Sequence, residues 1–255
     1  MNVSIRYIRS LAGRRRSVRA NRQLGYALAF VAGAVNAGGY LAVQQYTSHM
    51  TGILSAIADN TVLGSFGLAL SGTGALLSFM TGAGCSAVMI NYSRRRRMHS
   101  EFALPLLLEA TLLICFGFLG TRLSTVDGLF VSATVMLLCF IMGLQNAVIT
   151  KISRAEIRTT HITGIVTDIG IEFGKLFYWN APTASARPKV IADRGRLKML
   201  IVLALSFFAG GVIGAFGFKQ VGYIATVPLA MALGTLAVMP AIDDVKRYIR
   251  QVKRR

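Results

Sequence analysis

The chain has 255 residues, of which 54% are hydrophobic, and it carries a formal net charge of +18. A soluble protein this basic would suggest nucleic-acid binding through the release of counterions from phosphates. The mean hydropathy of +0.56 and the clustering of Lys and Arg between apolar stretches argue against a nucleic-acid partner and indicate a membrane protein.

Apolar stretches close to the spanning length of about 20 residues recur along the chain. They are Leu24–Tyr46, Phe66–Tyr92, Phe102–Gly120, Leu129–Thr150, Leu197–Phe218 and Val221–Ile242. The first stretch is too long and too rich in glycine for a signal peptide, and we expect it to be a retained helix. The sequence therefore predicts an all-α integral membrane protein with six transmembrane helices.

The positions of Lys and Arg predict the orientation of these helices. With six spans and a cytoplasmic N-terminus, only Arg122 and Lys219 of the 28 basic residues lie outside, so 26 satisfy the positive-inside rule. Counting 51–63 and 163–177 as two further full crossings would place the arginines at 94–97 outside. We therefore predict both termini and the loop 179–196 in the cytoplasm, with basic end segments, 1–22 and 243–255, that contact anionic lipid.

Short phrases recur in the same order in the two halves of the chain. Phe30, Gly33, Asn36 and Ala37 return 110 residues later as Phe140, Gly143, Asn146 and Ala147. Residues 48–53 return as 160–165, residues 77–82 as 205–210, and residues 104–106 as 227–229. These matches predict two copies of one unit, 23–125 and 126–242. Because each unit contributes three spans, the second copy would be inverted relative to the first, as in many transporters.

Each unit also contains an apolar segment too short to span. The residues after Thr51, and those after Thr163, form stretches that we interpret as re-entrant half-helices, with the two threonines as N-caps. Two half-helix N-termini meeting near the midplane would favour an anionic or carbonyl-bearing solute. The alternative is a helix lying in the headgroup plane, because Asp168, Glu172 and Lys175 share one face opposite an apolar stripe.

Polar residues in matching positions are the candidate site. His49 and His161 occupy the same place in their units and could bind substrate or share a proton, although a packed interhelical contact is the simpler role. An acid inside a span is costly, so Glu109 is the candidate proton-coupling residue. The predicted substrate-binding residues are His49, Thr51, Gly52, His161, Thr163, Gly164, Asn36, Asn146 and Gln145.

No sequence motif indicates an enzyme. The three cysteines, Cys85, Cys115 and Cys139, lie in predicted spans with neither disulfide nor metal spacing, and we expect them to be small core residues. P-loop, GxSxG, HExxH and dinucleotide patterns are absent from the sequence. We therefore predict no catalytic residue, no metal and no cofactor.

Several of these phrases are similar to a known family. Residues 30–37, the Met50-Thr51-Gly52 turn, residues 143–147 and residues 159–164 resemble the bacterial YoaK-like membrane protein family, also described as domain of unknown function 1275. The similarity covers about residues 22 to 242 and implies a bacterial membrane protein of about six helices. The family pattern commonly has an acid in place of Asn36 and Asn in place of Ile53, which weakens ion coupling through the first unit.

The combined observations predict a small-solute transporter or channel of the bacterial cytoplasmic membrane, with its site between two inverted repeats. The alternative is a membrane scaffold, sensor or assembly factor that transports nothing. Either function is compatible with a homo-oligomer. A dry interface between the units would favour the second function, and a polar cavity lined by both His-x-Thr-Gly turns would favour the first.

Overall fold

The structure is a computed structural model, which describes residues 18–96, 98, 100–123, 129–152, 160–180 and 189–252. These residues form helices and connecting turns, without strands. The helices are α1 (Val18–Val43), α2 (Met50–Val62), α3 (Phe66–Arg95), α4 (Ala103–Leu123), α5 (Leu129–Ile152), α6 (Ile162–Phe177), α7 (Arg194–Val221) and α8 (Thr226–Val252), with a 3-10 turn at Gly222–Ala225 before α8. The all-α prediction is confirmed.

Four helical runs are long and apolar enough to cross a membrane, which suggests a membrane protein. They are Arg19–Val43, Phe66–Arg95, Ser132–Ile152 and Arg194–Val238, and Ala103–Phe118 is a shorter apolar helix. The fourth run contains a reversal of the chain, because a β-carbon on Gly217 would lie 3.5 Å from that of Ala225. Eight residues of straight helix would separate these positions by about 12 Å. The count of six spans stays a prediction.

Two helix pairs cross at glycines with backbone in contact. A β-carbon on Gly33 in α1 would overlap the carbonyl oxygen of Phe207 in α7, and one on Gly210 would overlap the carbonyl oxygen of Phe30. Small residues let helices approach this closely. The two helices run parallel, since Gly38 further along α1 lies against Phe218 further along α7.

The second crossing repeats the first with the equivalent residues of the other unit. Gly143 in α5 meets the carbonyl of Phe79 in α3, and Gly82 meets the carbonyl of Phe140. This pair is also parallel, because Gly74, earlier in α3, lies against Met136, earlier in α5. Each predicted unit therefore supplies one helix to each crossing.

Equivalent helices of the two units run in opposite directions. Asn21 near the start of α1 donates to the carbonyl of Ile152 at the end of α5 (3.4 Å), whereas Gly39 near the end of α1 packs on Leu138. In the same way, Gly117 of α4 lies against Thr226 at the start of α8, and Gly120, later in α4, lies against Tyr223 of the 3-10 turn that precedes α8. Both pairs, α1 with α5 and α4 with α8, are antiparallel.

The short helices α2 and α6 each pack along part of a long one. α2 lies on the first part of α3, where Gly72 contacts Ile57, and Ile53 shares a small buried cluster with Ala75 of α3 and Val135 and Cys139 of α5. α6 lies on the first part of α7 in the same way. Within the described residues, α2 and α6 share no extensive interface.

The bounds of the elements differ from the predicted ones at several ends. α1 begins at Val18, inside the segment predicted to be a basic extension, and α8 continues to Val252, into the predicted tail. Basic side chains at helix ends do not stop a helix, so apolar spans underestimate its length. The segments 1–17, 181–188 and 253–255, which include most of the predicted basic ends and part of the predicted cytoplasmic loop, lie outside the described residues.

Candidate functional site

Two turns of the same construction precede the short helices. The N-caps are His49 for α2 and His161 for α6, with φ/ψ of −94°/69° and −85°/57°. The prediction of Thr51 and Thr163 as N-caps is wrong, since both are exposed residues inside the first helical turn. Neither histidine side chain makes a capping hydrogen bond.

Gly52 and Gly164 allow each imidazole to fold over the first turn of its helix. A β-carbon on Gly52 would overlap the His49 ring, and one on Gly164 would overlap the His161 ring. Both glycines were predicted to belong to the substrate-binding site, and both lie in a regular helix. Their function is to leave room for the ring, which stays exposed at the helix N-terminus.

A hydroxyl next to each histidine ties its turn to a long helix. The Ser48 hydroxyl donates to Asn36 Oδ1 of α1 at 2.9 Å, and the Thr160 hydroxyl donates to Asn146 Oδ1 of α5 at 2.7 Å. Asn146 also donates to the carbonyl of Met142 at 2.9 Å, which holds its amide in place. Asn36 and Asn146, predicted to line the site, are therefore the anchors of the two turns.

These hydrogen bonds place the turns well inside the helix ends. Asn36 lies seven residues before the end of α1 at Val43, which is about 10 Å at 1.5 Å per residue. Asn146 lies six residues before the end of α5 at Ile152, or about 9 Å. Ser48 and Thr160, which lie next to the short helices, are therefore bonded to α1 and α5 about two turns before those helices end.

One cavity of about 390 Å³ lies beside the first turn. Its lining runs from the end of α1 through the turn to α2 and α3, and consists of Tyr40, Gln44, Gln45, Tyr46, His49, Gly52, Ile53, Ala56, Ile57, Asn60, Leu68, Ser71 and Gly72. Of the predicted site residues, His49 and Gly52 belong to it, and those of the second turn do not. The structure thus does not join both turns in this cavity.

A strained residue belongs to the same cavity. Gln44 has a φ of +53°, the left-handed conformation that is unusual for a residue with a β-carbon. Its N–H bonds the carbonyl of Tyr40 at 2.8 Å and ends α1, a position where glycine is usual. Sequence reasoning missed Gln44, because a left-handed glutamine has no sequence signal.

Two polar side chains are buried without hydrogen bonds. Glu109 of α4 and Gln145 of α5 are both 0% exposed, and no described residue satisfies either carboxylate oxygen or either amide atom with hydrogen-bond geometry. Gln145 lies within hydrogen-bonding reach of the Glu109 carboxyl group, but the angles of the contact fall short of a hydrogen bond. Both residues belong to the predicted functional set, but the position of Gln145 beside Glu109 was not predicted.

A polar cluster fastens α6 to the start of α7. Glu172, 2% exposed, accepts from Lys175 Nζ at 2.7 Å and from the backbone N–H of Asp193 at 2.8 Å. Arg196 in turn bonds Asp168 Oδ2 at 2.8 Å. The charged face that suggested an in-plane helix is thus used for packing on α7.

This cluster should weaken in acid. Lys175 and the Asp193 N–H lower the pKa of Glu172, and the backbone N–H of Arg196 lowers the pKa of Asp193. Because the pKa values of both carboxyl groups are lower in the folded state, the cluster contributes its full stability at pH values above the unfolded-state pKa values, which are near 4. This stability is lost as the pH falls through the folded-state pKa values. We expect the fluorescence anisotropy of Trp179, the single tryptophan, to fall as the pH drops below about 4.

The matched control for this titration is Glu172→Gln, which removes the charged acceptor. Its anisotropy should be low near neutral pH and should titrate less than that of the unmodified protein. An anisotropy in the unmodified protein that stays constant from pH 6 to about 3 would contradict the role of the cluster.

A sequence profile of the family described as protein of unknown function, DUF1275, matches residues 24–239. The chain belongs to this family. No curated protein and no solved structure matches this DUF1275 protein. In it, no described residues form a group of three or more His, Cys, Asp or Glu side chains placed to hold a metal.

Proposed function

We propose that this protein is a small-solute transporter or channel whose site is formed at the twin turns before α2 and α6. One observation carries the proposal, namely that the two turns share the same N-cap, the same ring over glycine and the same hydroxyl-to-asparagine bond. Helix packing alone does not require an exposed imidazole at both positions. A solute that contacts the matching residues of both turns explains why an imidazole is exposed at each of them.

The two units are, in this proposal, inverted repeats with six membrane spans. The antiparallel course of α1 against α5 and of α4 against α8 supports the inversion. The reversal of the chain after Gly217 supports counting α7 and α8 as separate spans. In such proteins the substrate site lies where the repeats meet, near the bilayer midplane.

The short helices act as re-entrant half-helices. Support comes from the bonds of Ser48 and Thr160, which hold the two turns beside α1 and α5 about 10 and 9 Å before the ends of those helices. Free N–H groups in the first turn of each short helix then point at the solute. His49, Thr51 and Gly52, with His161, Thr163 and Gly164, are the proposed binding residues, held by Asn36 and Asn146.

Glu109 is the proposed proton-coupling residue. A charged carboxyl group without partners in apolar surroundings is too costly, so the group carries a proton when buried. Its neighbour Gln145 directly precedes Asn146, which holds the second turn through Thr160. A change of protonation at Glu109 can therefore reach His161 through two adjacent residues of α5.

The proposed location is the cytoplasmic membrane of a bacterium, as the resemblance to the YoaK-like family implies. Both termini would lie in the cytoplasm, where the basic end segments contact anionic lipid. The lipid-facing surface would include exposed apolar side chains such as Val62, Phe66 and Phe208. A homo-oligomer would use part of that surface.

The test is flux through the purified protein in lipid vesicles. Swelling of proteoliposomes after mixing with acetamide, glycerol or acetate should be faster than that of protein-free vesicles for at least one solute. The variant His49→Ala combined with His161→Ala should lose at least nine-tenths of this added rate, because both rings contact the solute. Gln220→Ala, at an exposed end of α7, is the matched control and should keep the rate.

Equal rates in vesicles with and without the protein would contradict transport of these solutes. An unchanged rate in the double histidine variant would remove the twin turns from the site. Folding of each variant is checked by its thermal melting in detergent before the flux is measured.

One observation favours a membrane scaffold or sensor as the second candidate. The core shared by α1, α5 and α7 is tightly packed, with Leu28, Ile141 and Leu203 at most 1% exposed, and the cavity lies beside α2 instead of between the units. This function would be supported if the double histidine variant melted at the same temperature as the unmodified protein and neither protein gave any flux.

A further inference from the structure

We infer that the cavity beside α2 binds a neutral solute that carries a carbonyl oxygen and N–H or O–H groups, such as a carboxamide. This inference rests on the proposed function and names the substrate class of its site. The cavity volume of about 390 Å³ lies in the range of small-molecule pockets and leaves room for a solute larger than water.

The absence of formal charge in the lining argues for a neutral solute. None of the lining residues is Asp, Glu, Lys or Arg, although the chain carries 38 such residues, 28 basic and 10 acidic. A charged solute leaving water would find no opposite charge here, and desolvation of an unpaired ion is costly. Asp59 lies next to Asn60 in the sequence but does not belong to the lining.

The polar groups that are present fit a carboxamide at both ends. Gln44, Gln45 and Asn60 each offer a carbonyl oxygen and an NH₂ group, and Ser71 offers a hydroxyl, so the lining can accept and donate. His49 and the first-turn N–H groups of α2 add donors at the turn, where a carbonyl oxygen would lie. Apolar contact comes from Ile53, Ile57 and Leu68.

The strained backbone at Gln44 is an independent observation in favour of a binding role. The left-handed conformation is strained for a residue with a β-carbon, and glycine would remove that strain. Glutamine at this position instead places a long amide side chain on the cavity. Strain of this kind often marks a residue that is kept for binding.

The experiment compares three solutes of the same shape and different charge. Benzamide, benzoate and benzamidinium are tested for binding to the purified protein in detergent at pH 7 by saturation-transfer NMR and titration. We expect benzamide to bind at least tenfold more tightly than either ion, because the ions meet no counter-charge. Acetamide, acetate and acetamidinium provide the same comparison for a smaller solute.

Two variants locate the binding. Gln44→Gly should leave the melting temperature equal or higher, since it relieves the left-handed strain, and should weaken benzamide binding at least fivefold. Ser71→Phe should abolish binding by filling the cavity, whereas Val88→Phe, on an exposed part of α3, is the matched control and should bind normally.

The outcomes separate this inference from the proposed transport. Tighter binding of benzoate or benzamidinium, no binding of either amide, or normal binding by Gln44→Gly and Ser71→Phe would overturn the neutral-solute inference. Amide binding that follows the variants, without any flux in vesicles, would support the inference and contradict transport.

Discussion

Gly143→Ala is expected to destabilise the protein by about 2 kcal/mol or more. The added β-carbon would overlap the carbonyl oxygen and carbon of Phe79, which are backbone atoms that no rotamer change can move. α3 and α5 must therefore separate along their shared crossing. The measurement is the denaturant-induced unfolding of the purified variant in detergent micelles.

Gly33→Ala tests the equivalent crossing of α1 and α7 and should have a similar effect, because the carbonyl of Phe207 lies in the same position relative to it. Gly84→Ala and Gly67→Ala are the matched controls, since no atom lies within 4 Å of a β-carbon at either position. Both controls should be neutral or slightly stabilising, as alanine favours a helix over glycine. Equal stability of Gly143→Ala and Gly84→Ala would contradict the close crossing.

Glu109→Gln is expected to remove at least nine-tenths of any solute-driven proton movement while leaving the fold intact. The amide has the shape of the protonated carboxyl group and can pair with Gln145, but it cannot release a proton. The measurement follows the pH inside proteoliposomes with a fluorescent dye after addition of acetamide or another solute that the protein transports.

Glu101→Gln is the matched control for the same chemical change. Glu101 lies just before α4, where its carboxylate meets Arg94 at 3.2 Å. Its variant should keep the coupled proton movement. Coupling that persists in Glu109→Gln would exclude Glu109 as the proton carrier, and a lowered melting temperature in that variant would indicate a packing role instead.

Much of the helical framework could be predicted from sequence. Apolar length located the long helices, because a bilayer and a protein core both select for continuous hydrophobicity over about 20 residues. The short helices were also located, to within one or two residues at their N-termini, by the repeated His-x-Thr-Gly phrase. The same phrases predicted the domain of unknown function 1275, and this assignment is confirmed.

The contacts within the candidate site were harder to predict. Threonine is a good N-cap in general, so the sequence favoured Thr51, whereas the structure begins α2 two residues earlier, after His49. Ser48 and Thr160 were visible as matching hydroxyl residues before each histidine. Their hydrogen-bond acceptors, Asn36 and Asn146, could not be predicted. These bonds join residues twelve and fourteen positions apart, so they depend on how the turn lies against the long helix.

The pairing of the long helices was not predicted either. The repeated Phe-x-x-Gly of α1 and α5, and that of α3 and α7, indicated which helices are equivalent but not which helices contact each other. By residue type, Gly33 could have met any of the other three crossing glycines, Gly82, Gly143 and Gly210. Only the folded chain joins Gly33 with Phe207 of the other unit.

The packing of helices from one unit against helices of the other affects how the protein folds during synthesis. About 150 residues separate α1 from α7, so α1 leaves the ribosome long before α7 does. Until α7 has been synthesised, the glycine face of α1 has no helix to pack against. Neither half can reach its final packing as a separate folding intermediate. Two fragments cut between α4 and α5 should therefore be unstable when synthesised separately and should become stable when they are co-expressed.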